Sequence, residues 1–205
     1  MGDPARQRDE RFTYRHYRTW PDGERWELIE GHAWSMSPAP KTRHQTLAGA
    51  LYSAIRQHLK GKPCRVFIAP FDVLLPKADE ADDEVDTVVQ PDIVVFCDRS
   101  KLTEAGARGA PDFVVEILSP SSSRKDLNEK FRLYESRGVR EYWVIDPGNR
   151  SLLAYRLDAA GEGPERAPGY GEGELRERLV DWSPLASAVL EGFVLDPEEL
   201  FAELD

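Results

Sequence analysis

Cysteine is scarce. Cys64 and Cys97 are the two in 205 residues, too few for a disulfide framework and without the neighbours of a zinc site. They read as buried thiols in a reducing compartment, which predicts a cytoplasmic protein. No apolar run approaches the roughly 18 residues of a membrane span, so no membrane helix is expected. The opening MGDPARQRDERF is charged and lacks the apolar stretch of a signal peptide. There is no G-x-x-x-x-G-K-[ST] phosphate loop, no G-x-S-x-G nucleophile elbow and no internal repeat. The four histidines, His16, His32, His44 and His58, lack metal-motif spacing, and His16 and His58 read as ordinary surface or partly buried residues. Against these absences stands 40% hydrophobic and 31% charged content, enough to bury a core in one domain spanning residues 1–205.

Charge is unevenly placed. The net charge of −10 argues against a general nucleic-acid coating protein. From Asp158 to Asp205 there are 13 acids against three arginines, so the preceding 157 residues are neutral, with 24 charges of each sign. Pro76–Val89 holds six acids and one lysine, whereas Arg124–Arg140 holds six bases against three acids. That basic stretch is either a solvated helix face or a surface for anions.

The chain reads as an aromatic and basic short helix in Phe12–Trp20, then a hairpin in Trp26–Met36 turning at Glu30-Gly31. Leu47, Ala50, Leu51, Ala54, Ile55 and Leu59 give Arg43–Leu59 one helical apolar face. Strands are expected at Val66–Leu75, Ile93–Phe96 and Phe113–Leu118, the last two each entered through Pro-Asp. A helix over Lys125–Arg137 follows a Pro-Ser-rich turn, with Leu127, Phe131 and Tyr134 on one face and Gly138 as its C′ residue. Glu141–Ile145 and Leu152–Leu157 form a strand pair about the turn Asp146-Pro147-Gly148-Asn149. Residues 158–175 are expected to be a flexible acidic loop. Residues 176–205 are expected to be an acidic extension that packs on the domain and ends in a short helix near Pro197–Leu204. Most connections between strands are too short for helical crossovers, which predicts an α+β or mixed-sheet fold.

Carboxylates on strands are the candidate chemistry. Asp112 and Glu116 lie on one strand about 13 Å apart, too far to share a cation whose oxygen ligands sit at about 2–2.5 Å. Asp92 differs. If Ile93–Phe96 pairs antiparallel with Phe113–Leu118, Asp92 arrives beside Glu116–Leu118. Glu116 interrupts the apolar run Phe113-Val114-Val115-Glu116-Ile117-Leu118, and a buried carboxylate requires a partner or a metal.

These residues carry a resemblance. Trp26-Glu27-Leu28-Ile29-Glu30-Gly31, Ser37-Pro38-Ala39-Pro40 with His44, Gln90-Pro91-Asp92-Ile93-Val94-Val95, Val114-Val115-Glu116-Ile117-Leu118-Ser119-Pro120-Ser121 and Lys130-Phe131-Arg132-Leu133-Tyr134-Glu135 occur in order. With Gly138-Val139-Arg140-Glu141-Tyr142-Trp143-Val144-Ile145-Asp146-Pro147, they resemble the Uma2 family, bacterial endonucleases of the restriction-endonuclease-like PD-(D/E)XK type. The resemblance covers about Phe12 to Leu157 and resumes weakly near Leu190–Phe201. It implies a mixed α+β or α/β core, a central mixed sheet flanked by helices, with an added N-terminal hairpin. It further implies Mg²⁺ or Mn²⁺ held by Asp92, Glu116 and the Ile117 backbone carbonyl, with DNA as substrate and a homodimer or higher homo-oligomer. The motif lysine expected two residues after Glu116 is replaced by Leu118. The resemblance moves its role to Lys130, with Lys125 as the second choice; the plain alternative for Lys130 is a surface pair with Asp126. Glu27 becomes either an additional metal or water ligand or the partner of a nearby base. His44 either stands at the mouth of the site or begins a packed helix. Arg124, Lys125 and Arg132 become phosphate contacts. A degenerate binding module on the same fold and a hydrolase of small phosphorylated substrates are the rival readings.

Overall fold

A computed structural model describes residues 10–21, 23–36, 40–119, 124–157 and 182–205, with the side chains of 124–127 outside the description. The expected loop over 158–175 and the start of the acidic extension therefore lie outside the described residues.

The chain begins with a one-turn helix, α1 (Tyr14–Tyr17), and a hairpin, β1 (Trp26–Ile29) and β2 (His32–Ser35). Glu30 and Gly31, at φ 48° and 80°, make the left-handed two-residue turn that matches strand twist. Next come α2 (Thr42–His58), β3 (Arg65–Ile68), β4 (Val73–Leu74), β5 (Val88–Val89), β6 (Ile93–Phe96), β7 (Ala107–Arg108) and β8 (Phe113–Ile117). The helix α3 (Arg124–Arg137) then leads to β9 (Glu141–Asp146) and β10 (Ser151–Arg156). A small ribbon of β11 (Leu185–Ala186) and β12 (Val194–Leu195) precedes α4 (Pro197–Ala202).

The central sheet has the order β10-β9-β8-β6-β3. Its neighbours are antiparallel except β8 and β9, which run parallel because α3 carries the chain back between them. Side chains alternate strictly across this sheet. Ile93, Val95, Phe113, Val115, Ile117, Trp143 and Ile145 pack with Leu47, Leu51 and Ile55 of α2 and with Leu200 and Phe201 of α4. Val94, Phe96, Val114, Tyr142 and Val144 pack on the other face, with Leu133 and Tyr134 of α3. Glu116 shares the parity of Val114 and so points to the α3 face. Leu47, Leu51 and Ile55 are wholly buried, each contributing about 1.5–3 kcal/mol of apolar burial. Gly138, at φ 81°, ends α3 as the expected C′ residue.

Two expectations change. Val66–Leu75 is not one strand. Pro70 interrupts it, since proline has no N–H with which to continue a ladder, and β3 and β4 join different sheets. The expected N-terminal hairpin is present, as the edge of a second five-stranded sheet, β2-β1-β5-β4-β7. Cys64 and Cys97 are not thiols but a disulfide, closing the end of the β3–β6 ladder where Arg65 pairs with Phe96. Paired cysteines do not point to a reducing compartment. No helix among the described residues is long and apolar enough to cross a membrane.

Candidate active site

The antiparallel register Ile93↔Val115 sets Asp92 at the entrance of β6, beside the end of β8. Asp92 Oδ2 accepts the Ile117 N–H at 2.7 Å and lies 3.1 Å from His44 Nε2. His44 comes from the first turn of α2. Its other ring nitrogen, Nδ1, is buried and has no hydrogen-bond partner among the described residues. Burial would lower the His44 pKa, but the Asp92 carboxylate outweighs it, so the imidazole is held above its ordinary value.

Glu116 is 9% exposed, among apolar side chains. Its Oε1 accepts from Lys130 Nζ at 2.9 Å and from the Tyr134 hydroxyl at 2.7 Å. Lys130 and Tyr134 are four residues apart on α3, which stacks them on one helix face. Lys130 Nζ also donates to Glu27 Oε1 at 2.9 Å. That same Glu27 oxygen takes the Gln90 N–H at 2.9 Å, two residues before Asp92. The second sheet therefore supplies one side of the site and the central sheet the other.

The electrostatics follow from crowding. Burial pushes the Glu116 carboxyl up to about 7; Lys130 opposes this, while Asp92 and Glu27 add to it. Burial would lower the Lys130 ammonium, but Glu116 and Glu27 outweigh it and hold the proton on. Tyr134 is held well above its ordinary value by burial and by Glu116, so it remains a donor. Three carboxylates thus face one ammonium and one imidazole, a surplus of negative charge in a poorly hydrated place.

Among the described residues no three His, Cys, Asp or Glu side chains form a ready cage for a metal ion. The donor set fits a cation that needs fewer protein ligands. Asp92 Oδ1 and Glu116 Oε2 accept no hydrogen bond among the described residues. Hard carboxylate oxygens in that number suit Mg²⁺ or Mn²⁺, which complete their shells with water or phosphate oxygens.

The structure thus brings Asp92, Glu116, Lys130, Glu27 and His44 together. Lys130 turns inward to Glu27 and Glu116. Arg132 is exposed on the outer side of α3. Arg124 and Lys125 begin α3, and their side chains lie outside the description. Leu118 packs in the apolar cluster beneath α3. Asp112 belongs elsewhere: it accepts the Cys97 N–H at 2.8 Å and pairs with Arg140. Sequence reasoning placed Tyr134 only in the core and missed its bond to Glu116, although its four-residue spacing from Lys130 was the available signal. Gln90 was missed as well. Its side chain is bound by Arg25 at 3.0 Å, Tyr17 at 3.1 Å and Asp72 at 2.8 Å.

The family model described as Uma2, "Putative restriction endonuclease", matches residues 14–196. A Synechocystis sp. protein, the uncharacterized slr1290, is 27% identical over 149 residues, covering 71% of this chain and 74% of its own length. A crystal structure from Anabaena variabilis, described as "a putative nuclease belonging to DUF820", superposes with a TM-score of 0.68 at 22% identity. The superposition covers 94% of this chain and 99% of that one. The fold is accordingly the mixed α/β, restriction-endonuclease-like one.

Proposed function

We propose, for a chain that belongs to the Uma2 family, a Mg²⁺- or Mn²⁺-dependent endonuclease that hydrolyses phosphodiester bonds in DNA. The observation that carries the reading is the meeting of Asp92, Glu116 and Lys130 at one end of the central sheet, with one oxygen of each carboxylate uncommitted. Asp92, Glu116 and the Ile117 carbonyl would hold the cation. The chemistry such a cation supplies is acidification of a water and neutralisation of charge on the scissile phosphate.

The protein's own groups do the rest. Lys130 keeps one N–H beyond the two given to Glu27 and Glu116. That donor, with no acceptor among the described residues, would orient the attacking water or meet the charge growing on the phosphorane oxygens. His44 and the Ile117 N–H fix Asp92 from two sides, and Tyr134 fixes Glu116. Arg124, Lys125 and Arg132 on α3 would contact the phosphates flanking the scissile bond. Cutting both strands takes two such sites, hence a homodimer or higher oligomer.

The replacement of the motif lysine by Leu118, half-buried against the α3 cluster, favours a second reading, a binding module that no longer cuts. The test is supercoiled plasmid with Mg²⁺ or Mn²⁺ at low salt, where phosphate contacts are strongest. Wild type should nick, and folded Glu116→Ala and Lys130→Ala should not. Wild type and both variants behaving alike would overturn the nuclease reading in favour of the binding module.

A further inference from the structure

Glu27 stands on β1, in the second sheet, yet reaches the site on the central one. It is 6% exposed. Its Oε1 is already filled by two donors, Lys130 Nζ and the Gln90 N–H, each at 2.9 Å. Lys130 Nζ lies between Glu27 and Glu116, at 2.9 Å from each. Glu27 thus grips the lysine from the side opposite Glu116.

Glu27 is itself held. The Gln90 N–H that binds it precedes Pro91-Asp92, so the segment carrying Asp92 also fixes Glu27. The Gln90 side chain is tied to Tyr17, Asp72 and Arg25. A lysine side chain has four rotatable bonds, and its head needs a fixed partner to stay in place. We infer that Glu27 acts on the site through Lys130, as its positioning residue, and that the N-terminal hairpin serves the site by carrying it.

The inference rests on the metal-dependent reading only for its metal arm. Two readouts test it. First, Lys130 acylation by a small amine-reactive reagent is followed by mass spectrometry without metal. Glu27→Gln should speed it about tenfold, the least that losing a charge-assisted bond implies. Glu27→Asp, which withdraws the oxygen by one methylene, should speed it too and serves if Glu27→Gln fails to fold. Second, Mn²⁺ affinity is measured by calorimetry. Glu27→Gln should stay within about threefold of wild type, whereas loss of a true ligand or its support costs about 10–100-fold. Unchanged Lys130 labelling in both variants, or a loss of Mn²⁺ affinity in Glu27→Gln, overturns the inference. If wild type itself binds no Mn²⁺, the metal reading fails, and the labelling alone decides whether Glu27 holds the lysine.

Discussion

Two buried glutamates lie on adjacent parallel strands, and they are solved in opposite ways. Glu141 opens β9 and is fully buried. Its Oε1 accepts from Trp143 Nε1 at 2.9 Å. Its Oε2 accepts from Ser187 Oγ and from the N–H groups of Ala188 and Val189, at 2.6, 2.8 and 3.0 Å. Neutral donors reach both oxygens, the Arg156 guanidinium stands 3.9 Å from Oε1, and the carboxylate clamps the C-terminal segment to the α2 face of the sheet. Glu116, on the α3 face, has one oxygen filled and one uncommitted, with two further carboxylates nearby. Burial alone therefore does not mark a functional carboxylate. What separates Glu116 from Glu141 is an oxygen that accepts no hydrogen bond among the described residues, set beside other carboxylates and thus suited to a cation.

The comparison breaks most visibly in stability. Glu141→Ala should cost about 3–5 kcal/mol, since it strands several buried donors at once. Glu116→Gln should leave the metal-free protein as stable as wild type or more so, because it removes one of three crowded negative charges. Urea unfolding of both variants checks this; equal losses would erase the distinction.

A smaller effect lies in pH. The Glu116 carboxyl is held up to about 7 in the fold, against an ordinary value of 4.5. Between those values the folded chain keeps a proton that the unfolded chain has released. Glu116's contribution to stability therefore falls as pH rises through that window and levels off above about 7. Stability curves of wild type and Glu116→Gln without metal should diverge across that range, wild type losing ground as pH rises. Parallel curves would mean that Glu116 titrates normally.

Much of this was legible before the structure. The β-branched runs of β6 and β8 announced themselves, and their antiparallel pairing was enough to place Asp92 beside Glu116. Lys130 was reachable only through the family resemblance, because no backbone period links a strand to a helix 14 residues on. The second sheet was opaque: β4, β5 and β7 are two-residue strands, too short to show alternation. Pro70 was hidden within an apolar run, so two strands looked like one. The Cys64–Cys97 pair, 33 residues apart, needed the β3–β6 register, which depends on tertiary packing. Glu141 gave no warning, since the partners of its Oε2 lie in a segment more than 40 residues downstream.

The most direct test of the account is calorimetric titration of Mn²⁺ into wild type, Glu116→Gln and Glu141→Gln. The account predicts a saturable site in wild type, weakened at least about tenfold in Glu116→Gln and retained in folded Glu141→Gln. No binding by wild type, or equal binding by wild type and Glu116→Gln, would contradict it.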